Sequence, residues 1–139
     1  MTEHDAIASL TAVQLRDAIA AGTFTARQVT EHYLAMIRKH AALGAFMTVH
    51  ADDALARADE LDAAYESAGV VGPLHGLPSA FKDTVHVAGM VTTFGSKLFV
   101  DTPPQTEDDP VSLNFNTAGV VQVGKTTLPE FALSCHSDN

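Results

Sequence analysis

Two helix-start devices set close together near the N-terminus constrain this chain most. Thr11 is followed three residues on by Gln14, and Thr25 by Gln28. In such a pair the threonine hydroxyl accepts from the third helical N–H, and the glutamine amide reaches back to the threonine's own N–H. Two otherwise orphaned donors are satisfied at once. Leu10 with Leu15, and Phe24 with Val29, stand where a hydrophobic staple fixes the entering chain. The first helix is expected to carry Val13, Leu15, Ala18 and Ile19 on one stripe and to end at Gly22, a residue free to turn left-handed. The second is expected to carry Val29, Tyr33, Met36, Ile37 and His40.

Further helical and extended stretches follow. Ala45 to His50 reads as a short strand. Asp52 opens a third helix with Leu55, Ala58, Leu61 and Tyr65 inward, ending near Gly69; Asp53, Arg57, Asp59, Glu60, Asp62 and Glu66 form its solvated face. At Gly69 the texture changes, and Gly72, Pro73, Gly76 and Pro78 stiffen the chain into turns. The boundary separates a mostly helical lead-in, 1–69, from the start of an α/β core, 70–139. Ser79 to Val87 reads as extended and broken near Asp83. Asp109 starts a helix running through Gly119 with Val111, Phe115 and Ala118 on one face, and Val120 to Val123 is a β-branched buried strand. Thr127 and Glu130 suggest a third capping box, with Pro129 in the first turn. Strand, helix, strand, helix in this order predicts a right-handed βαβ unit with a parallel sheet, an α/β fold.

Charge narrows the partners. Eight Lys and Arg face 17 Asp and Glu, a net charge of −9, which opposes binding to phosphate backbones. No apolar run approaches a membrane span, and the opening Met1 to Asp5 is acidic and polar. Cys135 stands alone, so no internal disulfide forms. A cytoplasmic protein with no nucleic-acid or membrane partner is expected.

One motif misleads. Gly119 to Thr126 fits the phosphate-loop expression GxxxxGK[ST]. A phosphate nest needs flexible residues between its glycines and a helix starting at the lysine. Here three valines and a glutamine favour a strand, and the next helix signal comes only at Thr127. Nucleotide binding is therefore not expected. The histidines (His4, His32, His40, His50, His75, His86 and His136) make no HxH or HxxxH pair, so no metal site or other cofactor is expected; His50 near Asp52 and Asp53 is the best local combination.

The informative stretch runs from Gly72 to Gly89. An apolar approach, Leu77 through Phe81, delivers Lys82 to the break after a strand. Such a lysine is either a surface residue with its amine in water or a desolvated lysine serving as a general base. The residue pattern alone favours the surface reading.

A resemblance changes that balance. Gly72-Pro-Leu-His-Gly-Leu-Pro, Lys82-Asp83, Val87-Ala-Gly89 and Thr92-Thr93-Phe-Gly95-Ser96 resemble the opening of the amidase-signature family in order and spacing. Ala118-Gly119, Val123 to Ala132, the closing Asp138-Asn139 and the helical lead-in extend the likeness over essentially the whole chain. It implies an α/β/α sandwich around a large mixed sheet, of which these residues supply the N-terminal helices and the first βαβ strands and remain incomplete. It also implies amide C–N hydrolysis by a serine nucleophile, a cis-peptide serine and a lysine, with Lys82 at the lysine position. The two serines belong to a Gly/Ser-rich signature, and no such segment occurs among these residues. Ser79, Ser96, Ser112, Ser134 and Ser137 lack the Gly-rich turn that exposes a nucleophile. Departures are Thr127, where the family often has Asn, and Leu113 to Asn116, a helix surface where basic residues are common. The expectation is a fragment of an amidase, inactive alone, that acts on a small-molecule amide in the complete enzyme. The alternatives are one subunit of a split amidase or amidotransferase, completed by a chain that carries the serines, and a noncatalytic binding module.

Overall fold

The structure, a computed structural model, describes residues 3–137, and side chains from Asp5 onward. Asp138-Asn139 and the His4 side chain lie outside the described residues. Helix α1 (Glu3–Ala8) precedes α2 (Ala12–Ala20) and α3 (Ala26–Lys39), and both expected capping boxes are formed. Asp62 completes the second one from afar: its carboxylate accepts from Ala26 N at 2.7 Å and Arg27 N at 3.0 Å. Together with Thr25 and Gln28, this satisfies every free N–H at the start of α3. Both staples reach one cluster, in which Ile7, Leu15, Ile19 and Val29 are buried with Leu10, Phe24, Tyr33 and Leu77 against them.

Two stripe assignments change. Val13 is exposed, because it points away from the side of α2 that carries Leu15 and Ile19. On α3 the fully buried positions are Ala26, Val29, Thr30, His32 and Leu34, while His40 is exposed at its C-cap. Tyr33 and Ile37 are partly buried against the two clusters as expected, and with Met36, His40, Leu43 and Phe46 they also line an apolar groove of about 420 Å³.

Strand β1 (Phe46–Val49) leads into α4 (Ala51–Ala68), whose Ala54, Ala58 and Leu61 pack with Leu34, Val121 and Val123 in the main core. Strand β2 (Pro78–Lys82), helix α5 (Pro110–Thr117) and strand β3 (Val121–Thr126) form the βαβ unit. The sheet order is β1-β3-β2, with β2 parallel and β1 antiparallel to β3, so this is a mixed rather than purely parallel sheet. The extended reading of Ser79 to Val87 holds only to Lys82, where the carbonyl accepts from Thr84 N and Val85 N and the chain turns.

Helix α5 buries only part of its apolar pattern. Val111 and Leu113 are exposed, Phe115 meets Phe81 edge-on at 5.4 Å, Ala118 is half-buried, and the residue turned fully inward is Ser112. Hydrogen bonds decide this orientation. Ser112 Oγ donates to His86 O at 2.6 Å, and Asp109 accepts from His86 N at 2.7 Å. The third capping box does not form. Thr127 N donates to Ala45 O, prolonging the strand pairing, and Pro129 precedes a short 3-10 turn, Glu130–Ala132. Glu130 is taken elsewhere: its Oε1 accepts from Ser96 Oγ at 2.6 Å.

Candidate active site

Lys82 closes β2 at the edge strand of the sheet, with its side chain exposed. Its backbone is fixed, however. Asp83, the next residue, is hydrogen-bonded at its N–H, its carbonyl and one carboxylate oxygen, while the other, Oδ1, makes no hydrogen bond. Asp83 N donates to Thr126 O at 3.1 Å, and Asp83 O accepts from Phe94 N at 3.1 Å. The carboxylate oxygen Oδ2 accepts from Thr93 N at 3.0 Å and from the Thr93 hydroxyl.

Asp83 Oδ1 meets a second lysine. Lys125 Nζ lies 3.0 Å from it in an ion contact and donates to Thr92 Oγ1 at 3.0 Å. Relative exposures are 0% for Lys125 and 1% for Asp83. A buried ammonium without a counter-charge would cost several kcal/mol, roughly the penalty of one desolvated ion, so each group requires the other. The register explains how Lys125 gets there. Ser79 pairs with Gln122 but Ala80 with Gly124, leaving Val123 as an extra residue on β3. The irregularity resets the alternation, so Lys125, paired with Phe81, comes to the side of Phe81, Val87 and Met90 and not to that of Val121 and Val123.

This geometry also dissolves the phosphate-loop resemblance. Strand β3 runs straight through Gly124 and Lys125, with no helix starting there. Gly124 is required because a Cβ would stand 2.2 Å from Thr48 O on β1, and Gly119 (φ +92) because a Cβ would stand 2.8 Å from His75 Cα. Each motif residue thus has a packing role.

Three of the serines named above are held by hydrogen bonds of their own. Ser96 and Ser112 are buried with their hydroxyls donating to Glu130 and to His86 O, and Ser134 Oγ donates to His136 O. Among the described residues no group of three or more His, Cys, Asp or Glu is placed to hold a metal. His50 and Asp53 approach to 3.5 Å at the start of α4, and nothing else joins them as a ligand. No described helix is long and apolar enough to cross a membrane. The Asp83–Lys125 pair was not singled out from the sequence. Its one signal was a lysine in an otherwise apolar strand, which needs a carboxylate if that strand is buried.

A sequence profile of the family described as Amidase matches residues 28–139. The chain belongs to the amidase family. This amidase chain is 38% identical over 133 residues to a subunit of the glutamyl-tRNA(Gln) amidotransferase of Rhodospirillum rubrum, covering 96% of itself and 26% of that protein. Among solved structures it is similar to a fatty acid amide hydrolase, with a TM-score of 0.90 at 25% identity, covering 100% of itself and 25% of that chain. It also matches the peptide amidase of Stenotrophomonas maltophilia, with a TM-score of 0.82 at 30% identity, covering 89% of itself and 26% of that chain. The amidase chain therefore spans about a quarter of the length of these relatives.

Proposed function

We propose that this chain is the N-terminal portion of an amide hydrolase in which Lys82 serves as the proton-transfer base. The remainder of the fold, in the same polypeptide or a complementary chain, would supply the nucleophilic and cis-peptide serines. The observation that carries the reading is the placement of Lys82. It follows an apolar strand at an open sheet edge, its backbone is held on both sides, and its amine is free to meet a group brought from outside. Once covered, a desolvated lysine amine could accept the serine's proton through the cis-peptide serine while the serine attacks the amide carbonyl. The substrate class is a small-molecule amide, and a cytoplasmic location suits the acidic chain and its single cysteine. The names of the curated relatives favour a second version, in which the amide is glutamine and the completed protein is one component of an amidotransferase.

The test is amide hydrolysis by the purified chain alone and by the chain joined to the remaining part of a related amidase. The chain alone should show no turnover. The combined protein should be active, should lose activity with Lys82→Ala and should keep most of it with Lys97→Ala, an exposed lysine beyond Ser96. A folded, active combination that tolerates Lys82→Ala would refute the assignment.

A further inference from the structure

We infer that Asp83, Lys125 and Thr93 form a positioning device for Lys82, an internal clamp that fixes where the base stands without touching the reacting atoms. The inference rests on Lys82 being the base proposed above. Three segments meet at Asp83. Its N–H joins it to β3 at Thr126, its carbonyl joins it to the 92–96 loop at Phe94, and its carboxylate joins both again through Lys125 and Thr93. Lys82 is the residue before this junction, and the turn after it closes on the Lys82 carbonyl, with Thr84 N at 2.7 Å and Val85 N at 3.0 Å.

A buried pair can serve only to hold a fold together. Two features argue for more. First, Lys125, paired with Phe81, lies on the side of the small Phe81, Val87 and Met90 cluster and not on that of the main core with Val121 and Val123. A buried ion pair is also weak evidence for stability, because well-packed apolar replacements often do as well. Second, the polar groups converge on the one residue adjacent to the exposed lysine. A base must sit within hydrogen-bond reach of the proton it takes, and displacement by about 1 Å can cost about a hundredfold in rate. Lys125 Nζ, engaged by Asp83 and Thr92, is unsuited to proton abstraction. Its charge serves to hold Asp83.

The test pairs a charge-free double variant with a milder one. Lys125→Met with Asp83→Asn removes both charges but keeps a carboxamide oxygen for Thr93. Thr93→Val leaves the pair and removes one donor to it. In the 139-residue chain, hydrogen exchange followed by NMR should accelerate tenfold or more at the Asp83, Thr84 and Val85 amides in the double variant, and less in Thr93→Val. Amides of α3 and α4 should be unchanged. In the combined protein described above, kcat should fall at least tenfold with KM within twofold in the double variant, and Lys125→Arg should recover part of the loss. If the three amides keep their protection, or if kcat is unchanged in a protein that Lys82→Ala inactivates, the clamp is refuted. If Lys82→Ala is itself tolerated, the base assignment fails instead, and that result separates the two. Should the double variant not fold, an unchanged kcat in Thr93→Val overturns the inference by itself.

Discussion

Gly124→Ala probes the junction on which the sheet and the Lys125 placement both depend. A Cβ on Gly124 would stand 2.2 Å from Thr48 O and 3.0 Å from Val49 Cα, where ordinary contact begins at 3.4 Å. Both obstacles are backbone, so no side-chain rotation relieves them. Strand β1 must retreat by about 1 Å, a displacement that costs about 1–3 kcal/mol in overpacked cores. The same retreat stretches the β1–β3 ladder around Thr48–Lys125 and Val49–Gly124, and losing two such bonds adds about 1 kcal/mol each. The expected total is about 3–5 kcal/mol, or a fall in Tm of about 10–15 °C for a domain of this size. Gly89→Ala is the control. Gly89 has φ +81 but nothing within 4 Å of its missing Cβ, so only left-handed strain is added. That costs about 1–2 kcal/mol, or about 5 °C. Both are read by thermal unfolding of the purified chain. If Gly124→Ala lowers Tm no more than Gly89→Ala does, β1 does not cross β3 at this point, and the packing account of the Gly124-Lys125 dipeptide is wrong.

Three other outcomes follow from the same structure. ATP or GTP with Mg²⁺ should leave Tm unchanged, because a ligand that binds only the folded state must raise it; a shift abolished by Lys125→Ala would restore the phosphate-loop reading. Asp62→Ala should cost about 1–2 kcal/mol in urea unfolding, since it frees two N–H groups at the start of α3; an effect under about 0.3 kcal/mol would show that Thr25 and Gln28 suffice. His75 gives a pH dependence. Burial lowers its pKa from the ordinary 6.5, with the nearby Asp62 carboxylate opposing and Arg57 reinforcing. The neutral ring is the folded form, its Nδ1 accepting from Val71 N, so its stabilisation is complete above about pH 6.5 and lost as pH falls towards the folded value. Tm should therefore drop more steeply between pH 7 and 5 in the parent chain than in His75→Asn, and equal slopes would refute the linkage.

The proposed site was legible in part. The neighbours of Lys82 placed it after an apolar approach but favoured a surface residue, and the family resemblance alone pointed to a base; the rejection of a phosphate loop followed from three valines wanting a strand. Asp83 as the partner of Lys125 could not be read. The two are brought together by a register irregularity at Val123, and nothing local announces which strand residue will be the extra one.

What the sequence determined by itself was whatever depends on a few adjacent residues. The capping boxes at Thr11 and Thr25, their staples, the stop at Gly22 and the inward Ala58 and Leu61 of α4 are all short-range, and all appear as expected. Tertiary structure decided every question that required knowing a distant partner. Thr127 with Glu130 has the letters of a capping box, yet strand pairing to Ala45 and the hydroxyl of Ser96 compete for the same groups and win. Helix α5 has an apolar stripe, yet the fully inward position goes to Ser112, whose hydroxyl donates to His86 O, while Val111 stays exposed and Phe115 meets Phe81 only edge-on. β1 joins β3 antiparallel although α4, β2 and α5 all lie between them in the chain, a pairing that no local pattern announces. Local patterns fix which conformations are inexpensive, but a buried polar group takes the partner that the packed fold brings within 3 Å, roughly one hydrogen-bond length.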